Sequence, residues 1–269
     1  MEGALTSSDD IQEKTYNFKG PKEYGQILVD GSVEAVNLAN NHSFDYGQQG
    51  YEDTKANLAK YDIVNFGYDR TATTEVNGIK VGLFGISQLS ASDPEGLVKD
   101  DIKELKKKGC ALIIGMFHWG IESEYTPTSE QVDLAHYAID NGCDLVLGGH
   151  PHVLQGVERY KDRYICYSLG NFVFGGNDDP SDKNTMIYQQ TFTFENGWLK
   201  TDEGTLGDVD IVPCSLSSAS SGNNYRPKPL DGSDGSALVK KLNGYSKSLE
   251  GDGVAFDTEL DGQGRAQVK

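Results

Sequence analysis

Four of the five histidines follow runs of apolar residues that are typical of buried strands. His118 follows 113–117, His150 and His152 follow 145–147 in the segment Gly149-His150-Pro151-His152, and His42 ends the segment Asn40-Asn41-His42. Because open α/β sheets gather functional groups at the carboxyl ends of their strands, we expect these imidazoles to lie close together. Imidazole is a good ligand for Zn, Mn or Fe ions, so the pattern predicts a metal site.

His150 and His152 are separated only by Pro151, which restricts φ and stiffens the pair. In an extended segment, residues two positions apart point the same way, so both rings should reach one metal ion or two adjacent ones. The alternative is a pair of polar loop residues. The same strand-end argument predicts His118 as a ligand, with a structural histidine as the alternative. Glu122 and Glu124 beyond it either contact the site or are solvated loop carboxylates.

The pair Asn41-His42 combines a hard amide oxygen ligand with an imidazole that can donate a proton beside a metal. Asp45 lies three residues further on. It either orients His42 through the second ring nitrogen or, together with Gln48, caps the helix that follows. The two roles are compatible, and the sequence does not choose between them.

A turn after a later strand contributes Ser168 and Asn171, as Ser168-Leu169-Gly170-Asn171. The Gly-Asn pair favours positive φ, so the segment either supplies contacts to substrate at the site or is a plain turn. His136 lies inside a predicted helix, and we interpret it as a packed or surface helix residue outside the site.

Other reaction classes lack their signatures. The sequence contains no Gly-x-Ser-x-Gly elbow, no cysteine adjacent to a histidine, and no Walker or dinucleotide-binding fingerprint. Metal-assisted hydrolysis is therefore the chemistry that the pattern favours.

The elements that must position these residues alternate between strand and helix. Hydrophobic periodicity predicts strands at 33–38, 81–86, 111–117, 145–147 and 164–167, and helices at 47–60, 98–108 and 128–141. The second helix carries Val98, Ile102 and Leu105 on one apolar stripe. The third begins with the capping-box pair Thr128 and Gln131 and is closed by Gly142. This alternation predicts an α/β fold with a partly parallel sheet covered by helices.

Beyond residue 184 the pattern changes. Alternating residues at 186–194 meet Asn196-Gly197, a hairpin signal, and a strand at 209–212, a loop at 215–229 and a helix at 236–246 follow. We expect one domain over residues 1–230 and a C-terminal helix with a polar tail over 231–269.

Composition limits the partners. The net charge of −17 disfavours nucleic acid and anionic membrane surfaces, and a polyanionic substrate would need a bound dication to reverse the local field. No run of about 18 apolar residues is present.

The four cysteines show no CxxC spacing and their pairing stays open, but Cys110 and Cys143 each open a strand and are predicted to be buried free thiols.

Four ordered motifs resemble the CapA/PgsA family, bacterial capsule proteins of poly-γ-glutamate synthesis within the calcineurin-like metallophosphoesterase superfamily. The resemblance covers about residues 2–176, and the motifs are 40–47 (NNHSFDYG), 117–122 (FHWGIE), 149–153 (GHPHV) and 168–172 (SLGNF). It implies a four-layer α/β/β/α sandwich of two mixed sheets.

The resemblance also implies a two-metal site with His42 as the proton donor near the leaving group. Glu2-Gly3 looks like the end of the family's Asn-Leu-Glu-Gly segment, which adds Glu2 as a ligand. The implied cofactors are two divalent ions of the Mn, Zn or Fe type. Their implied ligands are Glu2, Asn41, His118, His150 and His152.

One part of the family pattern does not appear. The family begins with a strand that ends in a metal-binding Gly-Asp, and nothing precedes Met1 here. We therefore expect a chain truncated at its N-terminus, without its first strand. The loss of that carboxylate leaves one ion or none as the alternative to two. We also expect an extracellular or cell-surface location, with a membrane anchor in the missing segment.

Two functions remain as hypotheses. The first is a metal-dependent phosphoesterase-like hydrolase domain associated with poly-γ-glutamate capsule biosynthesis. The second is a non-catalytic assembly or export component of the capsule that keeps a structural metal site. The expected partners are a polyanionic capsule polymer or a phosphoester substrate and a capsule-synthesis membrane complex, with no nucleic acid.

Overall fold

The computed structural model describes residues 1–200 and 208–269, which form two compact units, residues 1–118 and 119–269. Each unit mixes helices with short strands. The first contains β1 (Ala4–Leu5), β2 (Lys19–Gly20), a 3-10 turn (Lys22–Tyr24), α1 (Gly25–Asp30), β3 (Ala35–Asn37), α2 (Gly47–Ala59), β4 (Val64–Phe66), β5 (Ala72–Val76), β6 (Ile79–Ser87), α3 (Pro94–Lys107) and β7 (Leu112–His118).

Strand pairing in the first unit is mixed. β6 pairs with β5 in antiparallel and with β7 in parallel orientation, and β3 and β4 form a separate parallel pair, as do β1 and β2. The parallel register places Ser87 beside His118, each the last residue of its strand. The carboxyl ends of β6 and β7 therefore meet at one edge, as the sequence predicted.

α3 begins at Pro94, four residues before the predicted start at residue 98, and the structure shows the reason. The apolar stripe Val98, Ile102 and Leu105 is buried as expected. The helix nevertheless begins at Pro94, because the Asp93 side chain accepts a hydrogen bond from the Gly96 N–H at 3.0 Å. Proline is well tolerated in a first turn, where its missing N–H has no helical partner.

The second unit contains the remaining elements. These are α4 (Ser129–Asn141), β8 (Leu145–Gly149), β9 (Val157–Tyr160), β10 (Arg163–Cys166), β11 (Asn184–Gln190), β12 (Phe194–Glu195), β13 (Trp198–Leu199), β14 (Val209–Ser215), β15 (Lys228–Pro229), α5 (Gly232–Lys247), β16 (Asp252–Gly253) and β17 (Ala266–Gln267).

Two sheets organise the second unit. One has the order β16-β9-β10-β8, with β10 and β8 parallel and the other pairs antiparallel. In the other, β14 pairs antiparallel with β11, β15 and β17. The predicted Asn196-Gly197 hairpin is confirmed between β12 and β13, with φ of 53° and 83° at its two turn residues.

α4 follows the sequence prediction closely. Thr128 Oγ1 accepts from the Gln131 N–H, and Gln131 Oε1 accepts from the Thr128 N–H, which completes the predicted capping box. Gly142, at φ 106°, ends the helix as predicted. α5 begins four residues before its predicted start, and β15 lies within the predicted 215–229 loop.

The predicted α/β alternation with mixed sheets is confirmed. Residues 231–269 lie in the second unit, and the predicted division at residue 230 stays a prediction. Among the described residues, no helix combines the length and apolarity needed to cross a membrane. Cys143 is buried and Cys110 half-buried, and both are free thiols, as are Cys166 and Cys214.

Candidate functional site

In the first unit, His118 gathers two oxygen donors around one ring nitrogen. Asn41 Oδ1 lies 2.7 Å from His118 Nε2, and Glu2 Oε1 lies 3.4 Å from the same nitrogen. The His118 side chain is 7% exposed and that of Glu2 is 28% exposed, so the cluster is open on the carboxylate side.

This donor set suits a divalent cation. An amide oxygen, an imidazole nitrogen and a carboxylate oxygen are the ligand types that Mn, Zn and Fe ions accept. Ligand bonds of about 2.1 Å at right angles put neighbouring donor atoms roughly 3 Å apart, close to the two separations around His118. The residues present in this unit therefore fit a metal ion.

His42 is held by a buried carboxylate. Its Nδ1 lies 2.8 Å from Asp45 Oδ2, and the Asp45 side chain has no exposed surface. Asp45 also accepts from the Phe18 backbone N–H at 2.7 Å and from Lys14 Nζ at 2.6 Å. Because an ionised carboxylate only accepts, His42 carries its proton on Nδ1 in this arrangement, and Nε2 is the remaining reactive ring atom.

The structure decides between the two roles considered for Asp45. α2 begins at Gly47 with Tyr46 at the N-cap position, and no side chain caps the helix. Gln48 donates instead to Glu52 further along the helix. The capping interpretation is therefore wrong. Asp45 hydrogen-bonds to His42 Nδ1, and its part in catalysis stays a prediction.

Asn40 anchors the backbone of the same turn. Its Oδ1 accepts from the His42 N–H at 2.9 Å, and its amide nitrogen donates to the carbonyl of Met1 at 2.8 Å. The first residues of the chain are thereby attached to the turn that carries Asn41 and His42. This attachment explains how Glu2, far away in sequence, reaches His118.

Lys14 and Phe18 are functional neighbours that the sequence did not reveal. Lys14 Nζ donates to the Asn41 carbonyl at 2.7 Å as well as to Asp45, and the Phe18 ring lies 4.3 Å from the His42 ring, centroid to centroid. Both belong to an irregular segment without periodicity, so no local signal could have identified them.

In the second unit, His150 and His152 follow β8 in an unusual backbone conformation. Their φ angles are 93° and 60°, so the expectation of an extended segment is wrong. The two ring centroids nevertheless lie 5.6 Å apart. Positive φ at residues other than glycine costs free energy, on the order of 1 kcal/mol or more each, and such strain is concentrated at functional sites.

Asn171 fixes one of these rings. Its Oδ1 lies 2.9 Å from His152 Nδ1, and the Phe174 ring stacks on that of His152 with centroids 6.0 Å apart and an interplanar angle of 5°. Asn171 is therefore more than part of a turn, and it leaves Nε2 of His152 for another partner. Ser168 is buried and accepts from the Gly170 N–H at 3.3 Å, which is a turn contact.

The remaining residues considered in the sequence are those predicted to bind substrate and His136, which was predicted to lie outside the site. Glu122 is exposed in the loop after Gly120, and its role in substrate binding stays a prediction, as do those of Ser168 and Asn171. His136 is a packed helix residue, as predicted. Its Nε2 lies 2.9 Å from Glu158 Oε1, and its ring stacks on that of Tyr160 at 3.8 Å.

Mixed sheets with helices, and strand ends that carry imidazole, amide and carboxylate groups, define an α/β fold of the metallophosphoesterase-like class. The chain belongs to the family described as bacterial capsule synthesis protein PGA_cap, whose model matches residues 1–176. The resemblance inferred from the four motifs is thus confirmed.

Several relatives have names that refer to capsule or polyglutamine synthesis. The chain is 35% identical over 184 residues to the PGA biosynthesis protein CapA of Bacillus subtilis (strain 168), covering 60% of this chain and 48% of that protein. It is 29% identical over 253 residues to the capsule biosynthesis protein CapA of Bacillus anthracis, covering 85% of this chain and 61% of that protein.

A third relative comes from Mycobacterium tuberculosis (strain ATCC 25618 / H37Rv) and is named a probable polyglutamine synthesis accessory protein. It is 27% identical over 187 residues, covering 56% of this chain and 49% of that protein. The chain therefore spans between about half and three fifths of the length of these relatives.

Proposed function

We propose that the chain is a metal-dependent, phosphoesterase-like hydrolase domain that acts in poly-γ-glutamate capsule biosynthesis. The observation that carries the proposal is the cluster around His118 Nε2, where Asn41 and Glu2 supply oxygen donors. Family membership and the names of the relatives support the part in capsule biosynthesis.

Glu2, Asn41 and His118 would hold a divalent ion of the Mn, Zn or Fe type. When bound, such an ion supplies Lewis acidity for a phosphoryl oxygen and a water nucleophile at neutral pH. His150 and His152 stay predicted ligands, as does the number of two ions per chain. The strained backbone of both residues and the contact between His152 and Asn171 support a ligand role for these imidazoles.

His42 would donate a proton from Nε2 to the leaving oxygen, which requires the imidazolium form with a hydrogen on each ring nitrogen. Asp45 accepts from Nδ1 and so assigns that donation to Nε2, in the manner of other carboxylate-oriented histidines. Lys14 and the Phe18 N–H hold Asp45 in place, so the ring orientation is fixed before a substrate arrives. Preorganisation of this kind is what a general acid requires.

We place the domain at the cell surface, in a capsule-synthesis assembly attached to the membrane. The relatives' names support this location, since capsule is made and retained at the cell surface. A polyanionic capsule polymer would be repelled by a chain of net charge −17, except where a bound cation reverses the local field.

The test measures metal content and turnover separately. The purified chain is equilibrated with Mn²⁺ or Zn²⁺, dialysed, analysed for metal, and assayed on bis(p-nitrophenyl) phosphate. We expect His118→Ala to lose metal and turnover together. His42→Asn should keep the metal and lower turnover by about 100-fold or more, the usual contribution of general acid catalysis.

His136→Asn is the matched control, because it removes an imidazole that pairs with Glu158 outside the proposed ligand set. It should leave metal content and turnover unchanged. Turnover that survives in His42→Asn would remove the general acid from the proposal. A His118→Ala variant with full metal content would remove the metal centre.

A second candidate is a non-catalytic assembly or export component with a structural metal ion. The observation that favours it is the word accessory in the name of the Mycobacterium tuberculosis relative. Full metal occupancy in the absence of any turnover on phosphodiesters, together with a Tm that rises on metal binding, would support this candidate over the hydrolase.

A further inference from the structure

A cavity of about 360 Å³ opens in the first unit beside the proposed metal ligands. Ser87, the strand neighbour of His118, forms part of its wall. Tyr68, on another part of the wall, donates its hydroxyl hydrogen to the carbonyl of Asn40, the residue before Asn41. The cavity therefore lies next to two of the three segments that supply metal ligands in this unit, those of Asn41 and His118.

The polar lining consists mostly of hydroxyl groups. Ser90 Oγ donates to Ser87 Oγ at 2.7 Å and lies 3.5 Å from the Tyr68 hydroxyl, and the Ser92 side chain adds a fourth hydroxyl group. Hydroxyls both donate and accept hydrogen bonds, so they match a ligand whose own groups do both. Ile86 and Leu97 supply apolar surface beside them.

The charges around the cavity disfavour an anion. Asp69 is the charged residue in the lining, and no Lys, Arg or His belongs to the described residues that line it. Lys55 lies 3.4 Å from Asp69 but does not line the cavity. The nearby N-terminus of α3, which could attract an anion, is already capped by the Asp93 carboxylate.

We propose that this cavity binds a neutral polyol of monosaccharide size. The proposal rests on the proposed hydrolase function for its role, in which the polyol is the alcohol part of the phosphodiester that is cleaved. A ring with several hydroxyls and apolar C–H faces matches the lining, and the volume lies near the lower limit of small-molecule sites. The α-carboxylates of poly-γ-glutamate do not match it.

The backbone at Tyr68 supports a ligand-binding role. Tyr68 has a φ of 55° and follows Gly67, with a φ of 104°, directly after β4. A tyrosine held in the left-handed region is strained, and this conformation brings its hydroxyl to the carbonyl of Asn40 and to 3.5 Å from Ser90 Oγ in the cavity wall.

Binding is measured directly by calorimetry and saturation-transfer NMR on the chain without added metal. The probes are methyl glucoside, glucuronate, tri-γ-glutamate and an N-acetyl amino acid amide. We expect methyl glucoside to bind with a millimolar Kd and glucuronate to bind about fivefold more weakly, because its carboxylate meets Asp69 near the surface.

Ser90→Phe fills the cavity from an exposed position and should weaken glucoside binding by about tenfold or more, by loss of space and of one hydroxyl partner. Ser7→Phe is the matched control, since Ser7 is also exposed in the same unit and outside the cavity lining. It should bind methyl glucoside like the unaltered chain.

Several results would overturn the proposal: no glucoside binding, equal or tighter binding of glucuronate or tri-γ-glutamate, preference for the amide, or unchanged binding in Ser90→Phe. Each of these results can be distinguished from a failure of the proposed hydrolase function. His118→Ala should lose metal and turnover while still binding methyl glucoside, and an inactive chain that binds the glucoside would leave the cavity assignment intact.

Discussion

Replacing Asp45 by asparagine tests whether the His42 arrangement is built as described. The carboxylate accepts from three donors, at 2.6 Å from Lys14 Nζ, 2.7 Å from the Phe18 backbone nitrogen and 2.8 Å from His42 Nδ1. Asparagine offers one acceptor oxygen and an NH₂ group, so its amide nitrogen must face at least one of these donors.

The cost follows from burial. Removing one partner of a buried charged pair costs about 3–5 kcal/mol, and a buried donor without an acceptor costs about 1–3 kcal/mol. Lys14 is 32% exposed and regains solvation, which reduces the loss. We therefore expect Asp45→Asn to lower the free energy of unfolding by about 2–4 kcal/mol.

Urea unfolding followed by circular dichroism measures this change. Because the chain has two compact units, hydrogen exchange at the Phe18 amide reports the first unit specifically, and its protection should fall in the variant. Asp9→Asn is the matched control, since the Asp9 side chain is 97% exposed and its pair with Lys19 should contribute at most about 0.5 kcal/mol.

A loss no larger in Asp45→Asn than in Asp9→Asn would show that the carboxylate does not hold His42. Lys14→Met supplies a second check. The double variant should lose less free energy of unfolding than the sum of the losses in the two single variants, because the two side chains share one interaction.

Further predictions concern the rest of the chain. Burial, with Glu104 and Asp100 nearby, raises the pKa of Asp101 from 3.8 to about 7, so ionisation of this carboxyl destabilises the fold as pH rises from about 4 to about 7. Asp101→Asn should therefore add about 2 kcal/mol to the free energy of unfolding at pH 8 and almost nothing at pH 4 in urea titrations; equal effects at both pH values would contradict this. Burial raises the pKa of both the Cys110 and the Cys166 thiol, but Cys110 is half-buried and Cys166 fully buried, so iodoacetamide should modify Cys110 in the folded chain and Cys166 only after unfolding, as read by peptide mass spectrometry. Thr128→Ala removes one half of the α4 capping box and should cost about 1 kcal/mol in urea unfolding, and a neutral result would show that the box contributes nothing.

The sequence predicted most accurately those elements that a single local pattern of residues determines. The capping box at Thr128 and the Asn196-Gly197 hairpin each depend on a few adjacent residues, and both are present in the structure. The starts of α3 and α5 were placed too late because the apolar stripe begins inside each helix. The first turn instead depends on local capping, such as that of Asp93 in α3.

The site was predictable in composition and less so in geometry. Strand-end position identified His118 and Asn41, which are 77 positions apart and yet in contact. Lys14 and Phe18 reach Asp45 from an irregular segment 31 and 27 positions away, and no periodic pattern connects them. The role of Asp45 itself depended on where α2 begins, a boundary that short-range pattern leaves uncertain by a residue or two.

The left-handed backbone at His150 and His152 has an evolutionary consequence. Glycine, or to a lesser degree asparagine, would relieve the conformational penalty at both positions without changing the path of the chain. Selection for folding alone would therefore replace the two imidazoles in any lineage that no longer uses them. We therefore expect histidine to persist at both positions only in those members of the family that use the side chains.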